Sequence, residues 1–354
     1  MSLSVLEKFH IEPPDRQEMD KAQARLDSLV KPPGSLGELE DIAKKLAGIC
    51  GQTYYDIKKR CVIIMASDNG VVEEGVAAAP QVVTYTQTLN FLKGITGVAV
   101  LAKLFATDLI VVDVGINADV AHPQVVNKKI RKSTGNIAAG AAMTYDEAVQ
   151  AVLVGAELAV KAAKDGYKIL GAGEMGIGNT TTSSAVLCAL TGLDPDVVTG
   201  RGAGLKEEAY RHKISVVRTA LSHSKPDRSD PIDVLAKVGG FDIAAMAGLF
   251  IGGAHMRIPV VIDGYISIVA ALCASRINPL VTEYMFASHA SAEPGYAYAA
   301  KALGLTPCLN LNMRLGEGSG CPLMFSIIDA ACAAIRDMAT FEEADIGEEY
   351  LRRI

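Results

Sequence analysis

The stretch RCVIIMASDNG, Arg60–Gly70, decides the fold. From Cys61 to Ala66 the run is apolar without interruption, and Ser67-Asp68-Asn69-Gly70 closes it as a turn. It is too short for a buried helix and does not alternate as a half-exposed strand would. A strand covered on both faces, as in a parallel sheet, has this pattern. Further runs of the same kind lie outward along the chain. DLIVVDV at 108–114 ends in Gly115, and YKIL at 167–170 leads into a glycine-rich stretch at 171–178. PVVID at 259–263 and TPCLNLN at 306–312 are also read as strands. Helical patterns separate them, over 82–106 with a break near Gly94–Gly97 and over an Ala-rich 144–165. Strand, turn and helix in repetition describe an α/β doubly wound sheet, whose ligands bind at the carboxyl ends of the strands.

The ends of the chain fall outside this alternation. Met19, Ala22, Leu26 and Leu29 have helical spacing within 15–30, KPPGSLG at 31–37 breaks the helix, and a second helix is expected from Glu38 to Ile49. Ser35 and Glu38 have capping-box spacing. A last helix is expected from Pro322 to Met338. Residues 1–50 plus 323–354 are therefore assigned to a small helical domain and 51–322 to a large α/β domain.

Composition narrows the function. The 354 residues are 50% hydrophobic, enough for a large core. Tryptophan is absent, and the apolar content rests on small aliphatic residues that suit helices packed closely on a sheet. The net charge of −6 and the lack of a dense basic run argue against nucleic-acid binding. The densest basic cluster, Lys128-Lys129 with Arg131-Lys132, reads as a solvated face. Seven cysteines without a C-x-x-C pair read as reduced core thiols, and the six scattered histidines offer no metal-ligand spacing. No metal and no cofactor is expected. The first residues, MSLSVLEKFHIEPPDRQEMDK, lack the sustained apolar run of a signal peptide, and no apolar stretch approaches the ~18 residues of a membrane span. A cytoplasmic protein is expected.

Five segments have the residue types for chemistry. GAGEMGIGNTTT, 171–182, matches G-x-G-x-x-G at Gly171, Gly173 and Gly176, which keeps a dinucleotide-binding oxidoreductase open. Glu174 inside it would repel a pyrophosphate. A monophosphate cradle of Gly176, Ile177, Gly178, Asn179 and Thr180, with Glu174 toward ribose hydroxyls, accounts for it better. GRGAGL, 200–205, with Gly202, is a second glycine-rich loop, and Lys213 is either its phosphate-neutralising charge or a solvated helix residue. RLGEGSG, 314–320, flanks Glu317 with glycines. This suits a carboxylate that approaches a ligand closely and, in an apolar pocket, serves as a general base. A solvent-facing loop glutamate is the alternative. ASDNGVVEEGVAAAPQVVTYTQTLNF, 66–91, has small residues that leave room for a flat ring, Pro80-Gln81 before a helix, and Gln87 as donor and acceptor. SHASAEPG (288–295), GGFD (239–242) and IDG (262–264) either complete a pocket or cap helices.

KPPGSLG, SDNGV with a later PQ-x-VT, GEMGIGNTT, VGGFD, SHASAE and RLGEGSG occur in this order between residues 31 and 320. Together they resemble the nicotinate-nucleotide–dimethylbenzimidazole phosphoribosyltransferases, which build the lower-ligand nucleotide of cobalamin. The resemblance implies a Rossmann-like, mostly parallel sheet flanked by helices, a small domain from both termini, and a homodimer. It implies transfer of a phosphoribosyl group from nicotinate mononucleotide to a benzimidazole-type base. Glu317 matches the catalytic base and Glu174 a carboxylate at the ribose. Gly176, Asn179, Thr180, Gly202 and Lys213 fall around the phosphate, and Pro80, Gln87 and Leu315 around the base. The chain departs from many relatives in having Asn69 for His, a plain Ala77-Ala78-Ala79 run and Cys321 for Ala. The last two bear on the base pocket, so benzimidazoles, purines and phenols stay open as acceptors. A non-catalytic paralogue paired with an active subunit is the remaining alternative.

Overall fold

The apolar run at 60–66 lies at the centre of a six-stranded sheet. The computed structural model describes residues 3–347, so residues 1–2 and 348–354 of the expected small domain lie outside the described residues. The strands are β1 (Arg60–Ser67), β2 (Asp108–Gly115), β3 (Val125–Asn127), β4 (Ile169–Met175), β5 (Val260–Ile262) and β6 (Met285–Ala287). All pairs are parallel, in the order β3-β2-β1-β4-β5-β6. This is the order of a doubly wound Rossmann-type sheet. The chain leaves β1 toward β2 and β3, then returns to place β4 on the other side of β1. The crevice for a ligand opens where that direction reverses, at the carboxyl ends of β1 and β4.

Thirteen α-helices surround the sheet among the described residues: α1 (Arg16–Ser28), α2 (Glu38–Cys50), α3 (Val82–Lys93), α4 (Gly97–Leu104), α5 (Tyr145–Lys164), α6 (Asn179–Thr191), α7 (Pro195–Val198), α8 (Glu207–Ser224), α9 (Pro231–Val238), α10 (Phe241–His255), α11 (Tyr265–Ile277), α12 (Gly295–Leu303) and α13 (Gly320–Asp337). Helix α10 packs on β1, β2, β4 and β5, and α5 packs on α10. Their backbones touch. A Cβ on Gly248 would stand 1.8 Å from the Val152 carbonyl oxygen, and one on Gly155 would stand 1.7 Å from that of Ala245. The abundance of small residues therefore has a packing cause. Helix α5 begins with the capping box of Thr144 and Glu147.

Several expectations change. The strand expected at 167–170 runs on through Met175, because Gly171 and Gly173 pair with Val62 and Ile64 of β1. TPCLNLN forms no strand of the sheet. Pro307 removes a donor, and only a bridge between Leu309 and His289 remains. The three-residue strands β3 and β6 were too short to register as apolar runs. Ser35 does not cap α2. Gly37 occupies the cap position, and the buried Glu40 carboxylate accepts the Leu36 N–H and pairs with Lys31 at 2.9 Å. The basic cluster is not a solvated face throughout. Lys129 pairs with Asp113 at 3.1 Å and donates to the Ile116 carbonyl, and Arg131 holds Glu147 and the Ala142 carbonyl.

The terminal helices associate. Helices α1 and α2 pack together and on α13, and Arg25 donates to the carbonyls of Ile335 and Met338. Helix α13 also reaches β4 and β5, and so joins the helical group to the sheet beneath the crevice.

Candidate active site

RLGEGSG lies across the end of β4. Gly316, Glu317 and Gly318 all take left-handed backbone angles, with φ of 84°, 66° and 91°. For a glutamate this is a strained conformation, tolerated where surrounding contacts impose it. The loop also needs close approach to β4, since a Cβ on Gly173 would stand 2.6 Å from the Glu317 carbonyl oxygen. Asp263, at the end of β5, grips the loop from below. Its carboxylate accepts the N–H groups of Gly318 at 3.0 Å and Gly320 at 2.6 Å. Burial pushes the Asp263 carboxyl up to about 7, against the backbone donors that favour its charge.

Glu317 is 6% exposed. Gln87 Nε2 donates to its Oε1 at 2.7 Å, and the Val98 N–H, in the first turn of α4, donates to its Oε2 at 3.0 Å. An amide and a helix N-terminus thus hold its two oxygens. Glu174 is buried to the same degree, at 7% exposed. Burial, and next the charge of Asp242, push the Glu174 carboxyl up to about 8. Glu174 accepts the Glu317 N–H at 3.2 Å and a short bond from Asn179 Nδ2.

Beyond Glu174 the cavity continues to the N-terminus of α6. Ile177 N–H is tied to Thr84 Oγ1 at 3.1 Å, and Gly178 precedes the helix with φ 94°. Lys213 is fully buried, not a solvated helix residue. Its ammonium donates to Thr180 Oγ1 at 2.8 Å and to the Gly200 carbonyl at 3.1 Å. Burial lowers it to about 8, while the Glu293 charge opposes the shift. A Cβ on Gly202 would stand 3.0 Å from Thr180 Oγ1 and 3.5 Å from Lys213 Nζ, so glycine keeps this pocket open. Buried N–H groups, a hydroxyl and an ammonium suit a single phosphate.

One cavity of about 390 Å³ brings these groups together. Of the expected residues, Glu174, Gly176, Ile177, Gly178, Asn179, Thr180, Gly202, Lys213, Gln87, Leu315 and Glu317 line it. Pro80 and Gln81 do not. Pro80 is exposed, and Gln81 accepts a bond from Asn117 at 2.8 Å at the start of α3. Ala77, Ala78 and Ala79 line the end near Gln87, whereas Cys321 lies outside the lining, packed under Gly171. The G-x-G-x-x-G match is not a dinucleotide turn, because its first two glycines are strand residues. The acids about 20 residues further on, Asp194 and Asp196, are the cap and a first-turn residue of α7.

Val98, Asp242, Asp263, Glu293 and Arg314 were not singled out from the sequence. Val98 acts through its backbone and leaves no side-chain signal. The glycine break before it, with Thr96 capping α4, was the available cue. Asp242 and Asp263 lay in GGFD and IDG, where helix capping was the slightly favoured reading.

A family model described as "Phosphoribosyltransferase" matches residues 11–346. The chain is 57% identical over 345 residues to a nicotinate-nucleotide–dimethylbenzimidazole phosphoribosyltransferase of Clostridium perfringens, with 97% of this chain and 95% of that protein covered. Against the protein of the same name from Clostridium acetobutylicum, identity is 53% over 333 residues, with 94% of each covered. The crystal structure of the Thermus thermophilus enzyme of that name is similar to this fold. Its TM-score is 0.89 at 40% identity, covering 94% of this chain and 99% of that one.

Proposed function

The chain belongs to the nicotinate-nucleotide–dimethylbenzimidazole phosphoribosyltransferase family, and on that premise we propose that Glu317 is the general base of its transfer reaction. The reaction moves the 5-phosphoribosyl group of nicotinate mononucleotide to 5,6-dimethylbenzimidazole or a related lower-ligand base. Its products are α-ribazole 5'-phosphate and nicotinate, within cobalamin biosynthesis. The supporting observation is the aim of one carboxylate. Each Glu317 oxygen takes one donor, from Gln87 or from Val98, and keeps a lone pair for a ring N–H in the cavity.

The residues divide the work by position. The phosphate sits at Lys213, Thr180 and the N-terminus of α6, with Gly202 leaving the space. The ribose lies over Glu174, between phosphate and base. The acceptor ring lies among Ala77–Ala79, Gln87 and Leu315. Nicotinate needs no acid to depart, because its pyridinium becomes neutral as the bond to the sugar breaks. The sugar carbon is then positive, and Glu174 in its ionised form stabilises it. The base attacks from the opposite face, and Glu317 takes the proton from its other ring nitrogen.

Glu317→Gln, in the chain expressed alone, is expected to lower turnover by ~10²–10⁴ with mononucleotide binding retained. Turnover near the parent's would remove Glu317 from the role. A parent chain that binds the mononucleotide without any transfer would instead favour the non-catalytic paralogue.

We also propose a homodimer acting in the cytoplasm. The family resemblance supports the dimer, as do the exposed apolar side chains Val82, Ile95, Val100 and Leu104 on and between α3 and α4. Sedimentation equilibrium tests it, and a monomer at micromolar concentration would count against it. No helix among the described residues is long and apolar enough to cross a membrane.

A further inference from the structure

Two buried carboxyls meet on one amide. Asn179 Nδ2 donates to Glu174 Oε2 and, at 3.1 Å, to Asp242 Oδ2. Asp242 is fully buried and Glu174 nearly so. Two anions on a shared bridge in a medium of low polarisability repel, and one proton relieves them. The backbone decides which carboxyl keeps that proton. Asp242 is the second residue of α10, and its Oδ1 accepts the Ile243 N–H at 3.0 Å. A helix N-terminus favours negative charge there. Glu174 is a residue of β4, one before its end, and accepts the Glu317 N–H at 3.2 Å.

The other charged groups around Glu174 do not reverse this. Asp263 faces it from the end of β5 and adds to the repulsion. Glu317 comes from the loop with its carboxylate turned to Gln87 and Val98. Lys213, on α8, is engaged by Thr180 and Gly200.

Resting on the reading of the site above, we propose that Asp242 is a positioning residue that sets the charge of Glu174. Asp242 keeps the negative charge, and Glu174 holds the proton until the donor's cationic pyridinium riboside binds over it. Glu174 then releases that proton to solvent. The order of the carboxyls agrees: burial, and next the Asp242 charge, push Glu174 up to about 8. Burial raises Asp242 only to about 6, against the donors Asn179 and Ile243. A neutral Glu174 avoids two adjacent buried anions before binding. An ionised one places charge under the sugar carbon as it becomes positive.

Calorimetric titration with nicotinate mononucleotide at pH 7, in buffers of different ionisation enthalpy, counts protons. The parent protein is expected to release about one more proton per molecule bound than Glu174→Gln does. In Asp242→Asn, Glu174 is about half ionised before binding at pH 7, so the extra release falls to about half. The acid limb of its kcat/KM profile moves to lower pH by about one unit, since removing a like charge makes Glu174 easier to ionise. Equal release in the parent and Glu174→Gln overturns the proposal, whether or not Asp242→Asn folds. A folded Asp242→Asn with a uniform loss of turnover and an unmoved limb does the same. Either result leaves the transferase reading intact if transfer is observed. A failure to bind the mononucleotide removes both.

Discussion

A single side chain in this site depends on backbone geometry that its own residue type disfavours. Glu317 is held in the left-handed region, and the glycines on both sides let the loop turn without a further clash. Lys213 shows the opposite case, a residue whose surroundings rather than conformation are unusual. An ammonium without solvent, held by Thr180 and Gly200, is costly unless it meets an anion. Lys213→Ala is expected to raise the KM for the mononucleotide ~10-fold or more while leaving that for the base within about twofold, since a lost charged hydrogen bond costs about 1.5–3 kcal/mol. Equal losses for both substrates in a folded variant would move the phosphate elsewhere.

At the scale of elements, three backbone segments meet on Glu317: the end of β4, the start of α4 and the loop leading into α13. Asp263 couples the loop to β5 through two N–H groups that no solvent reaches. Asp263→Asn offers one acceptor where two donors point, and leaves an N–H buried without a partner, at a cost of about 1–3 kcal/mol. Thermal unfolding should register that loss. Turnover should fall by ~10-fold or more with a smaller change in the KM for the mononucleotide, because the loop positions Glu317 rather than the phosphate cradle. A variant that loses stability with kcat unchanged would reduce Asp263 to a structural cap. Helix α4 was legible only as a break in a helical pattern. Its role, presenting the Val98 N–H, was not, because every helix start has free N–H groups and the sequence does not say which one faces a ligand.

The whole molecule pairs a doubly wound sheet with a group of terminal helices, and we propose that 1–50 and 323–354 act as one small domain seated on it. The carboxyls under the crevice give the fold a pH dependence. The folded protein holds a proton on Glu174 that the unfolded chain gives up above about 4.5, so this contribution is fully present at acid pH. It is lost as pH rises through about 8. Glu174→Gln removes its share of the dependence, while Asp263 and Asp242, raised by burial to about 7 and about 6, keep theirs. The parent's unfolding temperature should therefore fall relative to that of Glu174→Gln between pH 5 and 8.5, and parallel curves would show that Glu174 is not buried as a neutral acid.

Read alone, the sequence determined the parallel sheet, because unbroken apolar runs such as Cys61–Ala66 have few other places to go. It also marked most of the residues lining the cavity, because glycines beside polar and charged groups at strand ends are both rare and positional. It placed the strand–loop boundary of GAGEMG wrongly, since glycine is permitted in a strand wherever another backbone must lie on top of it. Only the tertiary structure decided what each carboxyl touches. Glu174 and Glu317 have the same side chain and adjacent places in the site. Their surroundings come from Asn179, Asp242, Asp263, Gln87 and Val98, spread across the chain and brought together by the order in which the strands pair.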